Sequence, residues 1–260
     1  MMRKFYVHFR YIFSIRHRHS PLIGNDAESI KSKDYKYRTH KSSSCNAGVI
    51  LYIYNVLHFS ERCYTMLPSY EHKLTEIREM ISSLLYDILL SSQQSLKAFE
   101  NNDTDLYASV RSKINTVKAI TDTIDTKIIQ TIALFGPEAN ELRDLIVYLK
   151  MTNEIDRIVD SIDKYCKRFN NHIFEEYNLT SFNNAIIQLH KTTLHTLEYL
   201  YAFFMDIDHA SAHDLYRKVL IEESINDDLF SIIEKDFLSL IMTQSEHSTE
   251  YVNVLGTLRN

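Results

Sequence analysis

From Tyr70 onward the chain places an apolar side chain at every third or fourth position: Tyr70, Leu74, Ile77, Ile81, Leu84 and Ile88. Alternating steps of four and three lay a single stripe along one side of a helix, the pattern of bundle packing. The stripe fades near Glu100, where Asn101-Asn102-Asp103-Thr104 offers turn and N-capping side chains. A second helix then runs to about Phe135 and stops at Gly136. Pro137 suits the first turn of the next helix, because its missing N–H is not needed there. That third helix carries Leu142, Leu145, Leu149, Ile155, Ile158 and Ile162, and closes near Phe169 at Asn170-Asn171.

A connector from His172 to Leu179 leads to Thr180-Ser181, a capping pair, and to a fourth helix from Phe182 to about Met205. The polar turn Asp206-Ile207-Asp208-His209 separates it from a fifth helix, about Ser211 to Met242. A last helical segment begins near Ser245. Three long helices, a connector and then a shorter run of the same order predict an all-α fold. The arrangement is two antiparallel three-helix bundles related by an internal repeat, with the second set ending early. The expected boundaries are 66–171 for the first bundle and 172–260 for the second.

Composition supports helices. The 260 residues include only 4 Gly and 3 Pro. From Met66 onward only Pro68, Gly136, Pro137 and Gly256 remain, too few breakers for the many turns of an all-β fold. Residues 1–65 read differently: rich in Arg, His, Tyr and Ser, with neither a helical period nor strand alternation. They carry 11 Lys and Arg against 4 Asp and Glu, a balance of +7, whereas the rest carries 18 against 30, a balance of −12. A basic targeting arm would want an amphipathic repeat that is absent, and an arm for a membrane surface or nucleic acid fits the +7. The composition reads first as a disordered segment, or one upstream of a natural start at Met66.

The acidic body disfavours nucleic acid, whose phosphates need clustered cations, and is compatible with metal cations or basic protein surfaces. Cys45, Cys63 and Cys166 form no CxxC pair and no disulfide framework, so a reducing cytoplasm is the expected compartment. The longest apolar run, Gly48–Leu57, is too short to span a bilayer.

The stretch from Pro137 to Arg168, PEANELRDLIVYLKMTNEIDRIVDSIDKYCKR, resembles the signature of the PhoU family. Pro137, Ala139, Glu141, Leu142 and Arg143 match a Pro-x-Ala-x-Asp-Leu-Arg helix start, with Glu for Asp. Ile155, Asp156, Arg157, Ile158 and Asp160 match a following Leu-Glu-Arg-Ile-Gly-Asp block at the family's separation, with Asp for Glu and Val159 in place of Gly. The resemblance covers Met66 to Asn260. It implies a cytoplasmic bacterial regulator of phosphate uptake and of the phosphate regulon. The implied partners are a phosphate ABC transporter ATPase and a sensor histidine kinase, and a homodimer is compatible with it. Arg143 and Arg157 belong to the motif, and bridges to helix carboxylates such as Asp144 or Asp160 are the expected role.

The same resemblance implies metal binding through carboxylates four residues apart. Such a step places two acids on one helix face, one turn apart, where they repel unless a cation lies between them. Asp156 with Asp160, and Glu223 with Asp227 within IEESINDD, are the pairs present. Mg, Mn, Fe or Zn would accept such oxygen donors. Spacing alone reads equally as a solvated acidic face. Two departures stand out. The family's acidic pair on the second helix aligns with Ile114 and Lys118, while Asp122 and Asp125 lie nearby, Asp125 where the family has a non-ligand acid. The end, YVNVLGTLRN, looks like the lead-in to a second Leu-Glu-Arg-Ile-Gly-Asp block, so the second bundle is expected to keep an open groove.

No P-loop, GxSxG or Cys/His nucleophile arrangement is present, and no enzymatic activity is expected. A ferritin-like metal enzyme or storage protein is the alternative, but it wants Glu-x-x-His pairs on two helices, which this chain lacks. A non-functional fragment of such a regulator is the third reading. His190 and His195 are five apart and share no face as paired ligands would. Tyr199, Phe203 and Phe204 read as core.

Overall fold

The structure, a computed structural model, describes residues 68–173, 177–205, 212–243 and 245–259. The basic segment 1–65 and the expected turn at 206–209 lie outside the described residues. Six α-helices are described: α1 Pro68–Asn101, α2 Thr104–Phe135, α3 Ala139–His172, α4 Asn183–Met205, α5 Ala212–Thr243 and α6 Ser248–Arg259. Helices α1, α2 and α3 pack on one another as one bundle, and α5 packs on both α4 and α6 as a second. The bundles meet chiefly where α1 lies against α4, and α6 also touches α3.

The stripe on α1 is buried throughout, with Tyr70, Leu74, Ile77, Ile81, Leu84 and Ile88 at most 5% exposed. On α3 the buried line is Leu145, Tyr148, Met151, Ile155, Val159, Ile162, Cys166 and Phe169. Leu149 and Ile158 flank it, and they and Leu142 are only partly buried. The core face is therefore carried as much by Tyr, Met and Cys as by the Leu and Ile positions that the sequence offers first.

Helix α1 hands over to α2 in two residues. Asn102 adopts the left-handed conformation (φ 52°), and the N–H of Asp103 donates to the Ala98 carbonyl at 2.9 Å, closing a Schellman-type end. Asp103 then caps α2, its side chain accepting from the Leu106 N–H at 2.9 Å. At the far end Gly136 is left-handed (φ 53°) and its N–H donates to the Ile132 carbonyl at 3.0 Å. Pro137 lies before α3 rather than in its first turn, because the extended Glu138 occupies the N-cap position. The expected cap at Thr180-Ser181 is also displaced. Asn178 accepts from the Thr180 N–H at 2.7 Å, and a short 3-10 turn, Thr180–Phe182, precedes α4.

Helix α6 has 12 residues against 34 in α3. It runs back along α5 only as far as Phe230 and Glu234, where Arg259 stacks over the Phe230 ring and bonds Glu234. Beyond that point α5 exposes Ile221 and Ile225, at 59% and 43%. What α6 does cover is held by an aromatic cluster. Phe237 stacks on Phe182 with ring centroids 4.1 Å apart, and meets Tyr251 of α6 edge-on at 5.9 Å.

The bundle-to-bundle contact combines ring pairs, Tyr86 with Tyr201 at 5.6 Å and Tyr148 with Phe204 at 6.3 Å, with a set of buried hydroxyls. Ser91, Ser92 and Ser95 of α1 and Thr192, Thr193 and Thr196 of α4 are all buried. Most of these hydroxyls donate to carbonyls of their own helix, as Ser91 does to Asp87 at 2.7 Å and Thr192 to Leu189 at 2.8 Å. His190 crosses the contact: its Nε2 is 3.1 Å from the Ser92 carbonyl and 3.1 Å from the Ser92 hydroxyl. A carbonyl can only accept, so neutral His190 carries its proton on Nε2.

Candidate functional site

The carboxylates that the sequence singles out in the first bundle lie along the seam between α2 and α3. The two helices run antiparallel, so positions on α2 rise as their partners on α3 fall. At one end the Arg111 Nε is 2.8 Å from Asp163 Oδ1. Next, the Lys118 ammonium donates to Asp160. Then the Thr121 hydroxyl donates to Asp156 at 2.7 Å, and finally Thr152 of α3 donates to Asp125 of α2. The seam is a ladder of two cation–carboxylate rungs and two hydroxyl–carboxylate rungs.

Its electrostatics follow from geometry. Asp156 is pushed above the ordinary carboxyl range, first by burial and then by the neighbouring charges of Asp122, Asp125 and Asp160, against the stabilising hydroxyl of Thr121. Burial also raises Asp125, opposed by Thr152 and reinforced by Asp122. Lys118 is raised, chiefly by its bond to Asp160, and it also feels Asp163 and Asp156. At the level of Asp160, α2 therefore contributes an ammonium, while Ile114, one turn earlier on α2, is buried core at 1% exposure.

The remaining expected positions are spread out. Pro137 precedes α3, Ala139 opens it, and the Leu142 N–H donates to the Glu138 carbonyl at 2.9 Å. The Glu141 carbonyl accepts from the Tyr70 hydroxyl at 3.3 Å, tying the start of α3 to the start of α1. Arg143 is buried at 6% exposure, and burial lowers its pKa while the adjacent Asp144 opposes the shift. Arg157 reaches Glu154 on its own helix at 3.3 Å. Asp144 also faces Arg78 of α1 at 4.0 Å.

Glu223 and Asp227 sit one turn apart on α5, around the buried Asn226, whose side-chain amide donates to the Thr192 hydroxyl at 2.7 Å. The pair is in the second bundle, away from the α2–α3 seam. His195 is exposed and 3.0 Å from Glu222, and Phe203 and Phe204 are buried as expected. Among the described residues no group of three or more His, Cys, Asp or Glu is placed to hold a metal ion. No described helix is long and apolar enough to cross a membrane.

Sequence reasoning passed over Arg111, Thr121, Thr152 and Asp163. Their signal was present but weak: each lies on the flank of its helix core, on the side that meets the other helix of the seam.

The fold and seam define a class, the double three-helix bundle with an acidic α2–α3 face. The family model described as "PhoU domain" matches residues 81–169, which run from the middle of α1 to Phe169 of α3 and contain the whole seam. The match lies wholly within the first bundle. The chain is similar to the phosphate-specific transport system accessory protein PhoU homolog 1 of Thermotoga maritima, at 26% identity over 91 residues. That match spans 35% of this chain and 39% of the relative. Its fold is similar to that of PhoU from Pseudomonas aeruginosa, with a TM-score of 0.61 and 19% identity over 73% of this chain and 88% of that one. The phosphate transport system regulatory protein PhoU from Streptococcus pneumoniae gives the same TM-score and identity, over 73% of this chain and 87% of that one.

Proposed function

We propose that this chain is a cytoplasmic regulator of phosphate uptake and of the phosphate regulon, which acts by binding other proteins rather than by catalysis. The observation that carries this reading is the paired block from Pro137 to Arg168, which falls within the matched PhoU domain. The Thermotoga and Streptococcus proteins are by name parts of phosphate transport systems, which supports the same assignment. The partners in this reading are the ATPase of a phosphate ABC transporter and a sensor histidine kinase. Long rigid helices whose outer faces are acidic suit docking onto basic protein surfaces.

The proposed action needs no metal at the Asp160 position. A family-type site in the first bundle needs oxygen donors from both helices, and opposite Asp160 the α2 side offers an ammonium beside an apolar core residue. At Asp160 itself the ammonium takes the place of a divalent cation, while Asp122 and Asp125 of α2 lie farther along the seam, beside Asp156. Among the described residues, Glu223 and Asp227 are two carboxylates from one helix and belong to no group of three or more metal-ligating side chains.

The test is direct binding. The purified chain, immobilised, is titrated with the ATPase subunit and with the cytoplasmic part of the sensor kinase from the same organism. Saturable binding of at least one, weakened by salt as charge-steered docking requires, is expected. Absence of binding to both removes the reading.

A further inference from the structure

We infer that the Lys118 ammonium is the built-in counter-ion of the α2–α3 seam, so that the first bundle is stable without a bound metal. The inference stands independently of the regulatory reading, because it concerns what holds the acidic seam together. Five carboxylates lie along that seam: Asp122 and Asp125 from α2, and Asp156, Asp160 and Asp163 from α3. Left alone, like charges on adjacent turns and facing helices repel. Arg111 answers Asp163 at one end, at 2.8 Å. In the middle Lys118 bonds Asp160 directly and is attracted by both Asp156 and Asp163, so one cation is shared among three acids.

The two acids farther along are satisfied in another way. Asp156 takes the Thr121 hydroxyl and Asp125 takes the Thr152 hydroxyl, so each keeps a proton donor without needing a further cation. Lys118 thus completes a set in which every seam carboxylate but Asp122 has a donor on the facing helix. A divalent ion between Asp156 and Asp160 would have to displace the ammonium. At the level of Asp160 the seam would lose the ammonium and gain no oxygen ligand from Ile114 or Lys118. A lysine held in place by covalent attachment needs no free ion in solution, so chelators have nothing to remove.

The test uses the full chain and reads thermal unfolding with EDTA, with MgCl2 and with MnCl2. For the wild type the same Tm is expected in all three. Lys118→Met is expected to lower Tm by roughly 2–4 °C, the shift that an effect of order 1 kcal/mol gives in a chain of this size. Lys118→Glu adds a carboxylate where the ammonium was, and is expected to lower Tm further in EDTA and to recover with Mn2+. Lys118→Arg keeps the charge and is expected to stay within a degree or so of wild type and indifferent to metal. A saturable Mn2+-dependent rise in wild-type Tm that Asp156→Asn abolishes would overturn the inference. So would a Lys118→Met variant as stable as wild type in EDTA.

Discussion

Replacing Phe237 with Ala is expected to destabilise the chain by roughly 3–5 kcal/mol, the cost of emptying a large, fully enclosed aromatic site. Phe237 is 0% exposed and is the ring on which the second bundle converges. It stacks on Phe182 at the entry to α4 and meets Tyr251 of α6, which in turn meets Tyr177 at 5.5 Å. The first bundle can spread a lost contact over three helices of 32 to 34 residues. The second holds its 12-residue α6 through this cluster, the buried Val254, Leu255 and Leu258 and the pairing of Arg259 with Glu234, so it has less to fall back on. Neighbouring Leu238 is 50% exposed, and Leu238→Ala is expected to cost under about 1 kcal/mol. Urea unfolding of the two variants side by side measures the contrast. Equal losses at the two positions would mean that α5 is not seated as described.

The second large effect is a loss of stability in mild acid through His190. The ring is 1% exposed, lies edge-on to Tyr165 at 4.8 Å, and donates from Nε2 to the Ser92 carbonyl across the contact between bundles. Its Nδ1 has no hydrogen-bond partner, so a second proton would place a charge where nothing receives it. Burial therefore pulls its pKa from 6.5 down to about 4, with the bond to Ser92 opposing the shift. The folded pKa lies below the unfolded one. In that case the unfolded chain binds the extra proton first, and stability is full above about pH 6.5 and falls as pH drops toward 4. The slope approaches 1.4 kcal/mol per pH unit, or about 3 kcal/mol across the window. His190→Gln keeps a donor for Ser92 but cannot titrate. Its stability at neutral pH is expected to be lower, yet nearly flat over the range where wild type declines. Urea midpoints at several pH values between 4 and 7 give both slopes, and parallel slopes would show that His190 is not the acid-sensitive group.

The helical stripes of the sequence were enough to place the six helices and their order, because each face repeats every three to four residues and needs no distant partner to be seen. The ends were less legible. Pro137 and Thr180-Ser181 carry strong local preferences, yet Glu138 and Asn178 occupy the capping positions, since the caps depend on where the packed helix must begin. The bundle-to-bundle contact was not legible at all. Ser92 and His190 are 98 residues apart, and three buried serines on α1 read locally as solvent-facing positions. Spacing found the acids Asp156 and Asp160, but not their partners. Lys118 stood out only as a departure from an acidic position, and its meaning appears when the facing helix brings it to Asp160. A motif can identify one side of a seam, while the chemistry of the seam depends on both.

The regulatory reading is tested most directly in the organism that carries the gene. A transcriptional reporter that responds to phosphate starvation is followed in phosphate-rich medium, with the gene intact, deleted, and restored from a plasmid. The reading requires the reporter to be silent when the chain is present, active when it is deleted, and silent again on restoration. A reporter that stays silent in the deletion strain under rich phosphate would contradict it.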